Sequence, residues 1–228
     1  MSENMWSHRI DTALKNMPSA FPKSAVVACQ GVEGAYSELA ARELFVEPEI
    51  IYHKSFADVF TAVENGKCRY GVLPIENSTA GSVLKVYELM VKHKFSIVRA
   101  LRLKIDHNLL VKKGVKLAEI SEVISHEQAI GQCGAFLQSM GEVKITACAN
   151  TAMAAKMVAE SERRDIAALS SAVCAEKYGL DVLRQSVQDQ ENNYTRFICI
   201  SKELEIYPRA DKMSVMLILK HRPGALYE

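Results

Sequence analysis

The residues able to do chemistry gather in a few short polar stretches of this 228-residue chain. In the fullest, Gln188-Asp189-Gln190-Glu191-Asn192-Asn193-Tyr194-Thr195-Arg196 runs into the apolar Phe197-Ile198-Cys199-Ile200. The apolar part reads as a buried strand. A polar loop that ends in a hydroxyl and a guanidinium, fixed to a rigid strand, is suited to holding reacting groups. It is equally the pattern of a solvated turn before an edge strand. A second stretch, Pro74-Ile75-Glu76-Asn77-Ser78-Thr79, offers a carboxylate, an amide and two hydroxyls. A third, Gly31-Val32-Glu33-Gly34-Ala35-Tyr36-Ser37, is a two-glycine loop, and a fourth, Ser125-His126-Glu127-Gln128-Ala129 with Gln132-Cys133, opens a helix.

The elements between these stretches alternate. A strand over 25–29 leads through the glycine loop to a helix over 39–45, with Ser37 as its N-cap. A loop of that kind at a helix start is an anion seat, although a glycine turn that only reverses the chain has the same composition. A strand over 49–53 precedes a helix that Ser55 and Asp58 start as a capping box and Gly66 ends. A strand over 70–74 opens into the polar stretch that follows Pro74, and a helix over 83–93 comes next. After an extended segment over 95–112 the alternation resumes, with strands at 122–125, 143–147 and 166–169. The helix opened at His126 reaches about Gly141, Asn150-Thr151 cap one over 152–161, and Ser170-Ser171 cap another that closes at Tyr178-Gly179. Repeated strand–helix units imply mixed or parallel α/β sheets. Two such sets joined twice imply two lobes, with strand-end loops of both facing a cleft.

Composition narrows the function classes. Apolar residues make up 49%, charged residues 24%, and the formal net charge is +1. With no basic run and few aromatics, nucleic acid is an unsuitable partner. The apolar stretches are too short for a membrane span. The six cysteines are far apart and none has metal-knuckle or redox spacing, so buried free thiols in a reducing cytoplasm are expected and a metal site is not.

Read together, the four loops resemble those of prephenate dehydratase, over about residues 25–201. Thr195-Arg196-Phe197 after an Asn-containing segment, combined with Pro-Ile-Glu-Asn-Ser at 74–78, carries most of that specificity. The resemblance implies a two-lobed α/β catalytic domain of periplasmic-binding-protein-like (type II) architecture over 24–205. Lobe 1 would hold about 24–100 plus 190–205 and lobe 2 about 101–189, after a leader over 1–23. It implies decarboxylating dehydration of prephenate to phenylpyruvate in phenylalanine biosynthesis, in the cytoplasm, by a homodimer, with no cofactor because aromatisation drives the reaction. Arogenate in place of prephenate, or silent small-molecule binding on the same scaffold, are the alternatives. One departure stands out: relatives commonly have His-Pro-Gln-Ala where this chain has His126-Glu127-Gln128-Ala129, which gives up a rigid first turn for a favourable charge on the helix dipole.

Prephenate carries two carboxylates and a ring hydroxyl, so the site must help a hydroxyl leave while seating a dianion. Thr195 matches the catalytic threonine of the family and is expected to donate a hydrogen bond to the departing oxygen. Glu76 is read either as a general acid with a raised pKa or as an orienting carboxylate. Asn77 shares the catalytic assignment. Ser78, Thr79, Gln128 and Asn193 are neutral groups for recognition, and N–H groups around Ala35, Tyr36 and Ser37 are candidates to seat one carboxylate. Arg196 is either a carboxylate clamp or half of an ion pair, and Phe197 fits the core better than the ligand.

Residues 206–228 are read as a linker followed by the start of an ACT regulatory domain, with a strand over 213–219 and a helical turn from His221. That stub is too small to bury its own face. Inhibition by phenylalanine, which needs the complete domain, is therefore expected to be absent or impaired.

Overall fold

The computed structural model describes residues 3–215 and 222–226, with backbone alone for 3–7. Two sheets organise the fold. The first takes β1 (Ser24–Gln30), β2 (Glu47–His53), β3 (Tyr70–Asn77), β4 (Gly81–Ser82), β5 (Ser96–Lys104) and β11 (Tyr194–Ser201), in the order β2-β1-β3-β11-β5 with β4 paired to β3. The second takes β6 (Asn108–Val111), β7 (Glu122–Ser125), β8 (Lys144–Ala147), β9 (Ile166–Ser170) and β10 (Asp181–Arg184), in the order β10-β6-β9-β7-β8. Both are mixed: β1 runs parallel to β2 and β3, whereas β11 is antiparallel to β3 and β5.

Alternation along the strands builds a core on each side of each sheet. In β1 and β11, Ala28, Ile198 and Ile200 pack with Val59, Phe60 and Leu89 of α3 (Phe56–Glu64) and α4 (Leu84–His93). Their neighbours Val27, Cys29, Phe197 and Cys199 pack with Ala40, Ala41 and Phe45, at and just beyond α2 (Tyr36–Leu44). In the second sheet Leu110 and Ala168 face α7 (Thr151–Glu160) and α8 (Ala172–Tyr178), while Leu109, Val111 and Leu169 face α5 (Glu127–Gln132) and α6 (Gly134–Ser139). The six cysteines are free, five of them buried and Cys148 partly so.

Several boundaries differ from expectation in ways that bear on the site. β3 continues past Pro74 to Asn77, because the polar stretch keeps pairing with β11 and then folds back as β4. The N-cap of α2 is Ala35, which puts Ser37 inside the first turn rather than ahead of it. The helix read from His126 to Gly141 breaks at Cys133 into α5 and α6. β5 stays in the first sheet through Lys104, so the passage to the second lobe falls at residues 105–107 and not at 100. The return passage is residues 185–193. Of the tail, residues 213–215 form no strand, and residues 216–221 with 227–228 lie outside the described residues. Tyr207 is no loose linker: its ring packs edge-on against Phe21 at 4.9 Å, and its hydroxyl meets that of Tyr70 at 2.8 Å.

A third tie joins the lobes besides the two passages. The loop before α2 is gripped by α8: Tyr178 donates to the Glu33 carbonyl at 2.6 Å and Cys174 to the Gly34 carbonyl at 3.3 Å. Lys177 reaches Glu33 at 2.7 Å and the buried Glu38 at 3.1 Å. Burial opposes the charge on Glu38, but the Gly34 N–H, Arg42 and Lys177 together hold its carboxyl below the usual range. Gly34 has φ +86, and a Cβ there would stand 2.7 Å from Cys174 Sγ, so only glycine fits.

Candidate active site

A cleft of about 350 Å³ opens between the lobes. The start of α2 contributes Ala35, Tyr36 and Ser37, β3 contributes Pro74 and Asn77, and β11 contributes Thr195 and Phe197. From the passage come Ile105 and His107, from the second lobe His126, Gln128, Gln132, Asn150 and Thr151, with Phe56 and Val83 as further apolar wall. Among the described residues lining it there is no lysine or arginine. The polarity available to an anion is therefore that of amides, hydroxyls, two imidazoles and helix starts. α2 has no side-chain cap on its first N–H groups, and α7 also begins at the rim, where Asn150 caps it through Met153 N.

At the floor sits Thr195, only 8% exposed. Its surroundings can be read from two backbone groups that can only donate. The N–H of Thr79 and that of Ala80 both point at one side-chain atom of Asn77, at 3.0 and 2.9 Å. That atom must be the amide oxygen, so the nitrogen is the atom 2.9 Å from Thr195 Oγ1. Thr195 thus accepts from Asn77 and keeps its own proton to donate. Asn77 also donates to Asn193 Oδ1 at 2.8 Å, and the Thr79 hydroxyl donates to Asn77 at 2.7 Å.

Other expected site residues fall elsewhere. Glu76 and Arg196 are register partners on adjacent strands, joined by an ion pair at 3.4 Å, and they are 46% and 38% exposed. Consecutive strand residues face opposite ways, so Asn77 and Thr195 turn into the cleft while Glu76 and Arg196 turn out. Of the two readings of Arg196 the structure shows the ion pair, and Glu76, expected among the catalytic residues, faces away from the cleft. Ser78 braces the turn instead of lining the cleft, donating to the Asn192 carbonyl and accepting from Tyr194 N. Thr79 and Asn193 line an adjoining polar cavity of about 310 Å³, which shares Gln128 and Gln132 with the cleft. Phe197 belongs to the core and to the cleft wall at once.

His107 is a site residue that the sequence did not single out. It is 2% exposed, its Nε2 lies 2.9 Å from Gln132 Oε1, and its backbone N–H donates to Gln188 at 2.9 Å. Burial holds its pKa below that of an ordinary imidazole, against the pull of Gln132 and Asp106. A lone histidine in an extended run carries no periodic signal, and only the polar Asp106-His107-Asn108 interruption of an apolar segment marks the place. No three or more His, Cys, Asp or Glu side chains are grouped so as to hold a metal among the described residues, and among them no helix is long and apolar enough to cross a membrane.

Two mixed sheets, two passages and a cleft at their junction, mostly apolar with a few convergent polar groups, define a periplasmic-binding-protein-like α/β scaffold with its site between the lobes. The chain belongs to the prephenate dehydratase family, whose profile matches residues 27–205. A relative in Arabidopsis thaliana named arogenate dehydratase/prephenate dehydratase 1, chloroplastic, is 40% identical over 205 residues, which is 89% of this chain and 52% of that protein. The chain spans about half the length of such curated relatives. A prephenate dehydratase from Arthrobacter aurescens, solved in complex with L-Phe, superposes with a TM-score of 0.78 at 23% identity, covering 89% of this chain and 70% of that one. A structure described as GqqA, a novel type of quorum quenching acylase, superposes at 0.72 with 30% identity, over 89% and 74% of the two chains.

Proposed function

We propose that this chain catalyses the decarboxylating dehydration of prephenate to phenylpyruvate, carbon dioxide and water. The observation that carries the reading is the Thr195 hydroxyl, which accepts from a fixed amide and has its proton free at the floor of an interlobe cleft. As the ring carboxylate leaves, the electrons of its bond pass into the ring, the bond to the ring hydroxyl breaks and the ring becomes aromatic. Negative charge grows on the departing oxygen, Thr195 donates a hydrogen bond to it, and the hydroxide takes a proton from solvent to leave as water. A preorganised donor of that kind is worth roughly 100- to 1,000-fold in kcat. Asn77 aims the threonine, and Asn193 and Thr79 hold Asn77.

The two carboxylates are seated by N–H groups and amides: Ser37 and the uncapped start of α2 on one side, Gln128 and the start of α7 on the other. Phe56, Tyr36 and Phe197 wall the ring. Glu76 and Arg196 act as an outer-face pair that leaves the cleft free of carboxylate, which suits a dianionic substrate.

Arogenate has an amino-acid side chain in place of the pyruvyl group and the same ring, and the Arabidopsis relative is named for both substrates. An acylase would need a nucleophile activated by a base, whereas the partner of the Thr195 oxygen is an amide donor. The test is turnover: phenylpyruvate from prephenate by absorbance, beside phenylalanine from arogenate. The wild-type chain is expected to turn over prephenate, and Thr195→Ala to lower kcat by about 100- to 1,000-fold with the fold intact. A folded protein inert to both substrates, or an unimpaired Thr195→Ala variant, refutes the reading.

A further inference from the structure

The proton assignment that starts at Thr79 and Ala80 runs on past Thr195. With the Asn77 nitrogen fixed, the Asn193 atom 2.8 Å away is an oxygen, so the Asn193 nitrogen is the atom facing Gln132 at 2.9 Å. Gln132 therefore turns its oxygen toward Asn193, and the same oxygen lies 2.9 Å from His107 Nε2. An amide oxygen only accepts, which places the imidazole proton on Nε2. The Gln132 nitrogen completes the circuit by donating to Thr79 Oγ1 at 2.6 Å. In the neutral ring, Nδ1 is then a bare acceptor.

That acceptor has no partner. Among the described residues three buried side-chain polar atoms lack one, His53 Nε2, His107 Nδ1 and Ser170 Oγ, and of these residues only His107 lines the cleft. Buried polar atoms without partners are rare, and each calls for an explanation such as strain, a bound molecule or a catalytic role. The edge-on Tyr36 ring, 6.4 Å away between centroids, supplies no donor, because its hydroxyl is spent on the Asp106 carbonyl at 2.7 Å.

We propose that His107 Nδ1 is a substrate-binding acceptor that takes the hydrogen of the ring hydroxyl, an inference that rests on the dehydratase reading above. The leaving group is then held from two sides. Its oxygen receives the Thr195 proton while its own hydrogen points at His107, which fixes the lone pair that Thr195 meets. One continuous set of hydrogen bonds, from His107 through Gln132, Thr79 and Asn77 to Thr195, keeps the donor and the acceptor complementary, because reversing either end would set two acceptors or two donors face to face.

Two amide variants separate this role from mere support of Gln132. His107→Gln keeps a donor at the ε position and has none of the δ acceptor. His107→Asn keeps an acceptor at the δ position and loses the ε donor. The expected result is a loss of about 10-fold in kcat/KM for His107→Gln on prephenate and arogenate alike, with His107→Asn recovering most of it. A near-native His107→Gln beside a crippled His107→Asn overturns the proposal, since the ring would then serve only as a brace. A loss confined to arogenate overturns it too, since the acceptor would be reading the ammonium group. Both results leave the dehydratase reading standing, whereas a wild-type chain inert to both substrates removes that reading and this inference together. A second measurement does not depend on the His107 variants folding: in 15N-histidine-labelled Thr195→Ala protein, prephenate is expected to move the Nδ1 resonance of His107, while phenylpyruvate, which lacks the ring hydroxyl, leaves it in place. Equal shifts with both compounds overturn the assignment.

Discussion

Asn77→Asp is the most informative single substitution, because it changes one atom and barely alters shape. The oxygen that receives the Thr79 and Ala80 N–H groups is retained, so the turn after β3 keeps its brace. On the other side an N–H donor becomes an oxygen, facing Thr195 Oγ1 at 2.9 Å, Asn193 Oδ1 at 2.8 Å and the Tyr194 carbonyl at 3.2 Å. Losing the hydrogen bonds and crowding acceptors together is expected to cost about 2–3 kcal/mol of stability. The hydroxyl of Thr195 is the nearest proton that can relieve this, so it rotates to donate to the new carboxylate and is withdrawn from the leaving oxygen. Losing a preorganised donor then lowers kcat by roughly 100- to 1,000-fold. Asn77→Ala removes the same partner but supplies no competing acceptor, so it is expected to retain more activity than the near-isosteric aspartate. The assay is kcat on prephenate for both variants, with urea midpoints to confirm folding. An aspartate variant more active than the alanine variant refutes the account of how Thr195 is aimed.

Glu76→Gln is expected to leave kcat within about twofold and to cost less than about 1 kcal/mol, as exposed pairs do. A 100-fold loss in the same turnover assay would restore Glu76 as the acid. Glu122 is buried and held by Thr146, Arg163 and Lys144, which bring its pKa down from 4.5 to about 2. Its contribution is therefore present above the ordinary carboxylate range and is lost as pH falls from 4.5 toward about 2. Glu122→Gln is expected to cost about 2 kcal/mol at pH 7, between a surface pair and a buried one, and the gap from wild type should close near pH 2 in urea titrations. Gly34→Ala forces a side chain onto φ +86 and against Cys174 Sγ, so it should raise KM and lower stability by about 2 kcal/mol. Kinetics and a urea midpoint both equal to wild type would show that the loop yields freely.

Much of the scaffold could be read from alternation. Val27, Ala28 and Cys29 in β1, and Phe197 to Ile200 in β11, announce strands buried on both faces, and the Ser55–Asp58 capping box marks the start of α3 correctly. Thr195 and Asn77 were legible as a pair because each stands where a polar loop meets a strand, Asn77 at the end of β3 and Thr195 at the start of β11. Glu76 was misplaced because β3 runs three residues beyond Pro74, and only its pairing with β11 shows which neighbour turns inward. Ser37 looks like a cap by type, yet Ala35 takes that place because the loop tightens two residues earlier. His107 and the partners of Gln132 could not be foreseen, since their contacts join residues 25 to 61 positions apart and no local spacing encodes them.

The grip of α8 on the loop before α2 has a bearing on traffic through the site. A protein tethered by two strands alone can swing open like a book, but here a clasp of charges fastens the covers together. Any swing of the lobes apart has to break the contacts of Lys177 with Glu33 and Glu38. Added salt loosens the exposed half of that fastening, so exchange should quicken with ionic strength even though no lysine or arginine lines the chamber itself.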